Sequence, residues 1–439
     1  MTDPSEPRLT PAEAPWLADP ECRTIIQALG EENARFVGGA VRDALLGLPA
    51  PDDLDIATRL PPEEVMRRLA AHGFHVVPTG LAHGTVTAVG ADGRHYEITT
   101  LRVDVETDGR HATVAFTTDW QADAARRDFT INALYCDLSG RIYDYFDGLT
   151  DLRAGRVRFI GDAHARIRED ALRILRFFRF HAWYGHGRPD AAGLAACAAQ
   201  ADMLNLLSIE RVRDELLKLL AAPDPGDALA AMAEISVLGR VLPRAVPTRV
   251  ALLARLCRRE PAFTSLLDEA EEQFWRPLRR LFLLCPLGRQ EWEQEGRRLR
   301  LSRRRIAALA TLAEPLGGHD ETALRRAIYR HGLAATANRA MIEAAELDDD
   351  KARQLARTLL ALRKWQPPRF PVSGRDLIAA GFSPGPLVGT LLRQLEEEWL
   401  ASGCRLDRQA LLARARSLGR SGASGPDRHA SRKPEAPSQ

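Results

Sequence analysis

Apolar residues recur along this chain with two different periods, and the change of period divides it. Between residues 36 and 147, short β-rich runs alternate with helical ones. Phe36-Val37 predicts a strand entering a Gly-Gly turn, and 41–46 predicts the helix after it, closed by Gly47. Residues 54–57 suit a strand, and 61–72 an amphipathic helix with proline at its start and Gly73 at its end. The runs 85–89 and 95–101 are separated by Ala91-Asp92-Gly93, a hairpin signal. Short strands mixed with helices predict a small α/β head. From about Asp162 the strand signals vanish. Residues 169–183, 209–221 and 227–238 place Leu, Ile or Ala at helical spacing. Helices punctuated by Pro243, Pro261, Pro286 and Pro367-Pro368 continue to about residue 418. The fold class expected is α+β.

Size and composition narrow this only a little. A chain of 439 residues can hold two or three domains with covered cores. A net charge of +2 neither supports nor excludes a nucleic-acid partner, so local clustering decides. The six cysteines are scattered without a Cys-x-x-Cys pair, which argues against a zinc ribbon and for reduced thiols in the cytoplasm. The N-terminus has no signal-peptide core, and no apolar run approaches membrane-spanning length, so no membrane partner is expected. Oligomeric state is not readable from the sequence.

The chemistry concentrates in the first half. Asp53 and Asp55, at i and i+2, share one face of a strand. Side-by-side anions repel, and two hard divalent cations would relieve the repulsion, as in two-metal phosphoryl transfer. A lone Asp-x-Asp is ordinarily a turn or a solvated strand. Here it follows Val37-Gly38-Gly39-Ala40-Val41-Arg42-Asp43, where paired glycines let backbone approach a phosphate and Arg42 can hold it. Glu97 is a candidate third carboxylate, to orient or deprotonate an attacking hydroxyl. It reads equally well as an exposed strand residue paired across the sheet with an arginine.

In Arg126-Arg127-Asp128-Phe129-Thr130-Ile131-Asn132, one arginine can reach a triphosphate while the other pairs with a carboxylate. Asp128 and Asn132 suit a ribose contact or a turn cap. Asp170, Arg173, Arg176 and Arg179 step by three and predict one helical stripe; Leu172, Leu175 and Phe178 predict another for the core. A carboxylate accepts and a guanidinium donates. Cytosine and adenine each present an amine donor beside a ring-nitrogen acceptor, so Asp170 with Arg173 could accept C and A and reject U and G. The turn-rich stretch 104–112 reads as a mobile loop or as a long exposed hairpin. The densest basic cluster, Arg297 to Arg305, reads as phosphate-backbone binding or as a solvated helix face.

These motifs, in this order, resemble those of the class II CCA-adding enzymes, or tRNA nucleotidyltransferases, whose superfamily includes the bacterial poly(A) polymerases. The matching stretches run from Phe36 to about Leu220 and include Asp53-Leu54-Asp55, Thr107-Asp108-Gly109-Arg110-His111-Ala112, Glu169-Asp170-Ala171-Leu172-Arg173 and Glu210-Arg211-Val212-Arg213-Asp214-Glu215-Leu216. The resemblance implies an N-terminal extension (1–20) and a catalytic head with a small mixed five-stranded sheet (21–160). It implies a helical neck that reads the base (161–240) and a helical body and tail that bind tRNA (241–418); the Ser/Pro/Arg-rich composition of the end (419–439) predicts a disordered tail. It implies Mg²⁺ at Asp53 and Asp55, and CTP or ATP at Gly39, Arg42, Arg127, Asp170, Arg173, Arg176 and Arg179. The activity implied is template-independent addition of CCA to tRNA. A poly(A) polymerase and a catalytically silent RNA-binding protein are the alternatives. Residues 104–112 match the family's flexible loop. Two departures stand out: Ala171 replaces a common proline, and no His-Asp phosphohydrolase signature follows.

Overall fold

The strand signals of the head close into one mixed sheet. The computed structural model describes residues 7–49, 53–108 and 111–422. Its strands are β1 (Ala34–Val37), β2 (Leu54–Thr58), β3 (His75–Gly80), β4 (Thr85–Val89), β5 (His95–Thr100), β6 (Arg102–Asp108), β7 (His111–Phe116), β8 (Leu134–Cys136) and β9 (Ile142–Asp144). The main sheet has seven strands in the order β3-β4-β5-β2-β1-β8-β9, not the five expected. The pair β2–β5 is parallel and the others are antiparallel. The unexpected strands have weak sequence signals. β8 and β9 have three residues each, and β3 is a largely exposed edge strand carrying Pro78, a residue tolerated only at such an edge.

β6 and β7 form a separate two-stranded ribbon, which places 104–108 and 111–112 on paired strands; residues 109–110 lie outside the described residues.

Helices α1 (Pro20–Leu29), α2 (Gly39–Leu45), α3 (Pro62–Ala71), α4 (Trp120–Ala125) and α5 (Gly148–Arg153) belong to the head. Asp19 caps α1, its carboxylate accepting from Cys22 N at 2.9 Å. Ile25, Ile26 and Leu29 of α1 and Val65 and Leu69 of α3 are buried where the two helices meet each other and the sheet. Burial of each such side chain contributes about 2 kcal/mol. The exposed Glu64–Arg67 pair on the outer face of α3 contributes far less. The segment before α1 is tied to the sheet edge: Leu9 N donates to Gly140 O at 2.8 Å and Ile142 N to Pro7 O at 3.1 Å.

Helices α6 (Ala163–Glu169), α7 (Leu172–Tyr184), α8 (Ala191–Ala199) and α9 (Ile209–Leu220) follow. Aromatic packing fixes α7 to the head. Phe177 stacks on Phe159 at 5.5 Å, and Phe180 meets Phe129 edge-on at 5.3 Å. Helix α9 lies along α7, and its end is capped by Arg280, which donates to Leu220 O at 2.8 Å and Pro223 O at 3.1 Å.

The chain divides into two compact units, residues 1–257 with 276–306, and 258–275 with 307–439. The second unit is helical. Its longest helix, Glu321–Glu346, is broken at Gly332, where φ is 79° and ψ 166°. Ahead of the break, Tyr329 donates to Glu396 Oε1 at 2.6 Å and meets Trp399 edge-on at 5.5 Å. Beyond it, Arg339 donates to Glu343 Oε1 at 2.8 Å. The last helix, Arg408–Gly422, covers the first residues of the stretch expected to be disordered; 423–439 lie outside the described residues. No helix among the described residues is long and apolar enough to cross a membrane.

Candidate active site

β1 passes directly into α2 through Gly38, at φ 70° and ψ −124°, which a side chain would strain. A Cβ at Gly38 would lie 3.8 Å from Arg127 Nη1 and 3.9 Å from Asp55 Oδ2. The missing side chain thus keeps open a space between a carboxylate and an arginine.

Asp55 is the second residue of β2, and Glu97 stands in register with it on parallel β5. Residues paired in this way share a face, which places the third candidate carboxylate beside Asp55. Asp53 sits just before the strand, and both aspartates remain open to solvent. Partial burial by the surrounding walls, and then the Glu97 charge, push the Asp55 carboxyl above its ordinary range; Arg127 opposes the shift and Asp53 adds to it. Among the described residues, no group of three or more His, Cys, Asp or Glu side chains is gathered at metal-binding distance. The donors on offer are two solvent-open carboxylates beside a third anion. These are hard oxygen donors of the kind a divalent cation takes.

A cavity of about 540 Å³ opens above this floor. Gly39, Arg42, Asp55, Arg127, Asp170, Arg173, Arg176 and Arg179 line it, and Asp53 and Glu97 stand outside its lining. Arg126, Asp128, Asn132, Phe180 and Arg211 complete much of the wall. Seven arginines against three aspartates make the lining strongly cationic, as a polyphosphate requires.

Each arginine is oriented by a partner. Arg42, almost fully buried, donates through Nη1 to Asn132 Oδ1 at 2.5 Å and through Nη2 to Tyr184 OH at 2.7 Å, with its guanidinium 4.0 Å over the Tyr184 ring. Arg127 donates to Asp123 Oδ2 at 3.1 Å and Tyr135 OH at 3.2 Å, while Arg126 donates to Asp123 Oδ1 at 2.8 Å. Burial alone would push the Asp123 carboxyl up, but Arg127, Arg126 and the Tyr135 hydroxyl bring it below the ordinary range. Arg176 donates through Nε to Asp128 Oδ2 at 2.8 Å, and Arg179 through Nε to Glu215 Oε2 at 2.6 Å.

The expected single stripe from Asp170 to Arg179 is corrected. Asp170 has extended backbone, φ −151°, and ends α6; only Arg173, Arg176 and Arg179 ride on α7. The cause is local. Asp170 Oδ1 accepts from Leu172 N at 3.1 Å, satisfying a free amide at the start of the new helix. Its other oxygen accepts from Arg211 at 2.8 Å, whereas Arg173 is held by Glu169 and, at 2.8 Å, by the Arg166 carbonyl. Asp170 and Arg173 therefore meet in the cavity wall from two elements.

Asp123, Tyr184, Arg211 and Glu215 were not picked out from sequence as site residues. Asp123 precedes Arg126 and Arg127 by three and four, and Arg211 and Glu215 are four apart, so same-face spacing was available for both sets. Tyr184 had no such signal.

Residues 34–158 match the model of the "Poly A polymerase head domain" family, and 190–247 match "Probable RNA and SrmB- binding site of polymerase A". The chain is 35% identical over 407 residues to the mitochondrial CCA tRNA nucleotidyltransferase 1 of Danio rerio, covering 86% of each chain. It is 33% identical over 390 residues to the CCA-adding enzyme of Lacticaseibacillus paracasei, covering 88% of this chain and 92% of that one.

The chain belongs to the CCA-adding enzymes.

The Bacillus stearothermophilus CCA-adding enzyme, solved in complex with CTP, superposes with a TM-score of 0.71 at 28% identity, over 92% of this chain and 99% of that one. The α+β architecture is that of the CCA-adding enzymes, and the activity class is nucleotidyl transfer.

Proposed function

We propose that this chain adds C, C and A to the 3′ end of tRNA without a nucleic-acid template, using CTP and ATP and releasing pyrophosphate. One observation carries the reading. A single cationic cavity joins the Asp55 face of the sheet to Asp170 and Arg173 at the α6–α7 junction. The first end suits phosphoryl transfer and the second suits selection of a base.

Arg42, Arg127, Arg176 and Arg179 would hold the triphosphate with the N–H groups left over from their fixed partners. Asp170 keeps lone pairs beyond those used by Leu172 N and Arg211, and Arg173 keeps further donors. Together they can offer an acceptor to the exocyclic amine of C or A and a donor to the adjacent ring nitrogen. Uracil and guanine would set donor against donor, leaving polar groups unpaired in the wall. Gly38 and Gly39 let backbone come close to the phosphates. Glu97, in register with Asp55 on the neighbouring strand, would steady or accept the proton of the attacking 3′-hydroxyl. Asp53 and Asp55 would hold Mg²⁺, which when bound supplies charge neutralisation for the phosphates and lowers the pKa of the hydroxyl. The helical body would take the tRNA by shape and backbone charge. None of the six cysteines is joined in a disulfide, which fits a reducing compartment such as the cytoplasm.

Purified protein with Mg²⁺ and tRNA ending at the discriminator base tests the reading. CTP alone, ATP alone and both together are compared on a sequencing gel. Three added residues, stopping at A, are expected. A long A ladder with ATP alone would instead mark a poly(A) polymerase. No extension under any condition would leave a silent RNA binder.

A further inference from the structure

Arg166 plays no part in the scheme above, yet it touches both ends of it. It sits in α6 with only 8% of its surface exposed. Its Nη2 donates to the backbone carbonyl of Arg127 at 2.8 Å and to that of Arg126. These carbonyls follow the last turn of α4, where a helix presents negative charge and a cation is favoured. Its Nη1 donates to Glu169 Oε2, the same oxygen that accepts from Arg173 Nη1. Arg173 Nη1 also donates to the Arg166 carbonyl at 2.8 Å.

We propose that Arg166 is a positioning residue that locks the base-reading guanidinium of Arg173 to the backbone carrying Arg126 and Arg127, so that base choice and triphosphate grip share one rigid frame. This rests on the reading of Asp170 and Arg173 as the base selectors. The guanidinium is a planar fork with donors on opposite sides, and it serves two carbonyls and a carboxylate at once. A lysine ammonium keeps the charge as a point and cannot reproduce the fork across both partners. Without the fork, Glu169 keeps only Arg173 and can swing with it, and the donor moves away from where a cytosine ring nitrogen must sit.

A purely structural role makes a different demand. An end-cap for α4 would, when lost, lower stability and slow every nucleotide alike. Positioning changes the ratio between nucleotides. The experiment compares kcat/KM for CTP and UTP on full-length protein with tRNA ending at the discriminator base, in wild type, Arg166→Gln, Arg166→Lys and Arg173→Ala. Circular dichroism and thermal melts are recorded for each. Arg166→Gln should reduce the preference for CTP over UTP by roughly ten- to a hundredfold, the loss expected for one misplaced hydrogen-bond donor. Arg166→Lys should recover the wild-type melt and leave the preference reduced, and it carries the test if the glutamine variant does not fold. Preference within roughly twofold of wild type in a folded Arg166 variant overturns the proposal, as does full recovery of preference by lysine. Arg173→Ala separates the two levels. If it discriminates like wild type, the base-selection reading falls and takes this proposal with it. If Arg173→Ala loses preference while the Arg166 variants keep it, only the role of Arg166 is refuted.

Discussion

Asp55 works against the stability of the fold that carries it. Its carboxyl is raised first by burial, then by the Glu97 charge one rung away and by Asp53. A group raised in the folded state contributes stability that is complete below its unfolded pKa and is lost as pH climbs through the folded value. At neutral pH the ionised form is therefore a net strain in metal-free protein. Asp55→Asn should abolish nucleotide incorporation and yet raise the melting temperature at pH 7 in EDTA; a lowered melt would contradict the crowding. The arginines across the cavity show the opposite arrangement. Each guanidinium is set by a carboxylate or phenol before any substrate arrives, as with Arg127 on Asp123 and Tyr135. The residues proposed to face substrate carried legible signals, since glycine pairs, paired aspartates and arginines have few other reasons to cluster. Their partners were less legible: Arg179 finds Glu215 only when α9 comes to lie along α7.

Among the elements, α7 does most to assemble the site. One face buries Leu175 and Phe178 and another turns Arg173, Arg176 and Arg179 to the cavity. The helical period made that much readable. The break before it was less so, because an i, i+3 pattern runs through 170–179 without interruption; the contrary signal was an aspartate two residues ahead of Leu172. Near the far end of α7, His181 is almost fully buried, with Nε2 against Gly187 O at 2.9 Å. Burial lowers its pKa below 6.5, with His186 adding to the shift and Gly187 O and Asp227 opposing it. The unfolded chain then binds the proton more readily, so stability is full above about pH 6.5 and declines as pH falls below it. The decline has a limit of about 1.4 kcal/mol per pH unit for one proton. His181→Gln should flatten this part of the curve in urea melts between pH 7 and 5; an unchanged slope would assign the acid sensitivity elsewhere.

At the scale of the whole molecule, the order of the motifs made the head legible. The parallel β2–β5 pair explains why residues 42 apart in sequence, Asp55 and Glu97, share one face. The seven-stranded count was hidden because three-residue strands show no period and a proline-bearing edge strand reads as loop. The helical second unit offered periodicity but no chemistry, so sequence placed its helices without their partners. Tyr329 meeting Glu396 is one such contact.

The break at Gly332 bears on how this protein could be engineered. A glycine inside its longest helix is an obvious target for replacement by alanine, which ordinarily gains about 0.4–1 kcal/mol by restricting the unfolded chain. Here the backbone stands at φ 79° and ψ 166°, a region that L-residues avoid. Gly332→Ala should therefore lower the melting temperature instead of raising it. A stabilised variant would mean that the two segments can straighten into a single rod. Thermostabilising substitutions belong on either arm of the elbow; the elbow itself must stay bare.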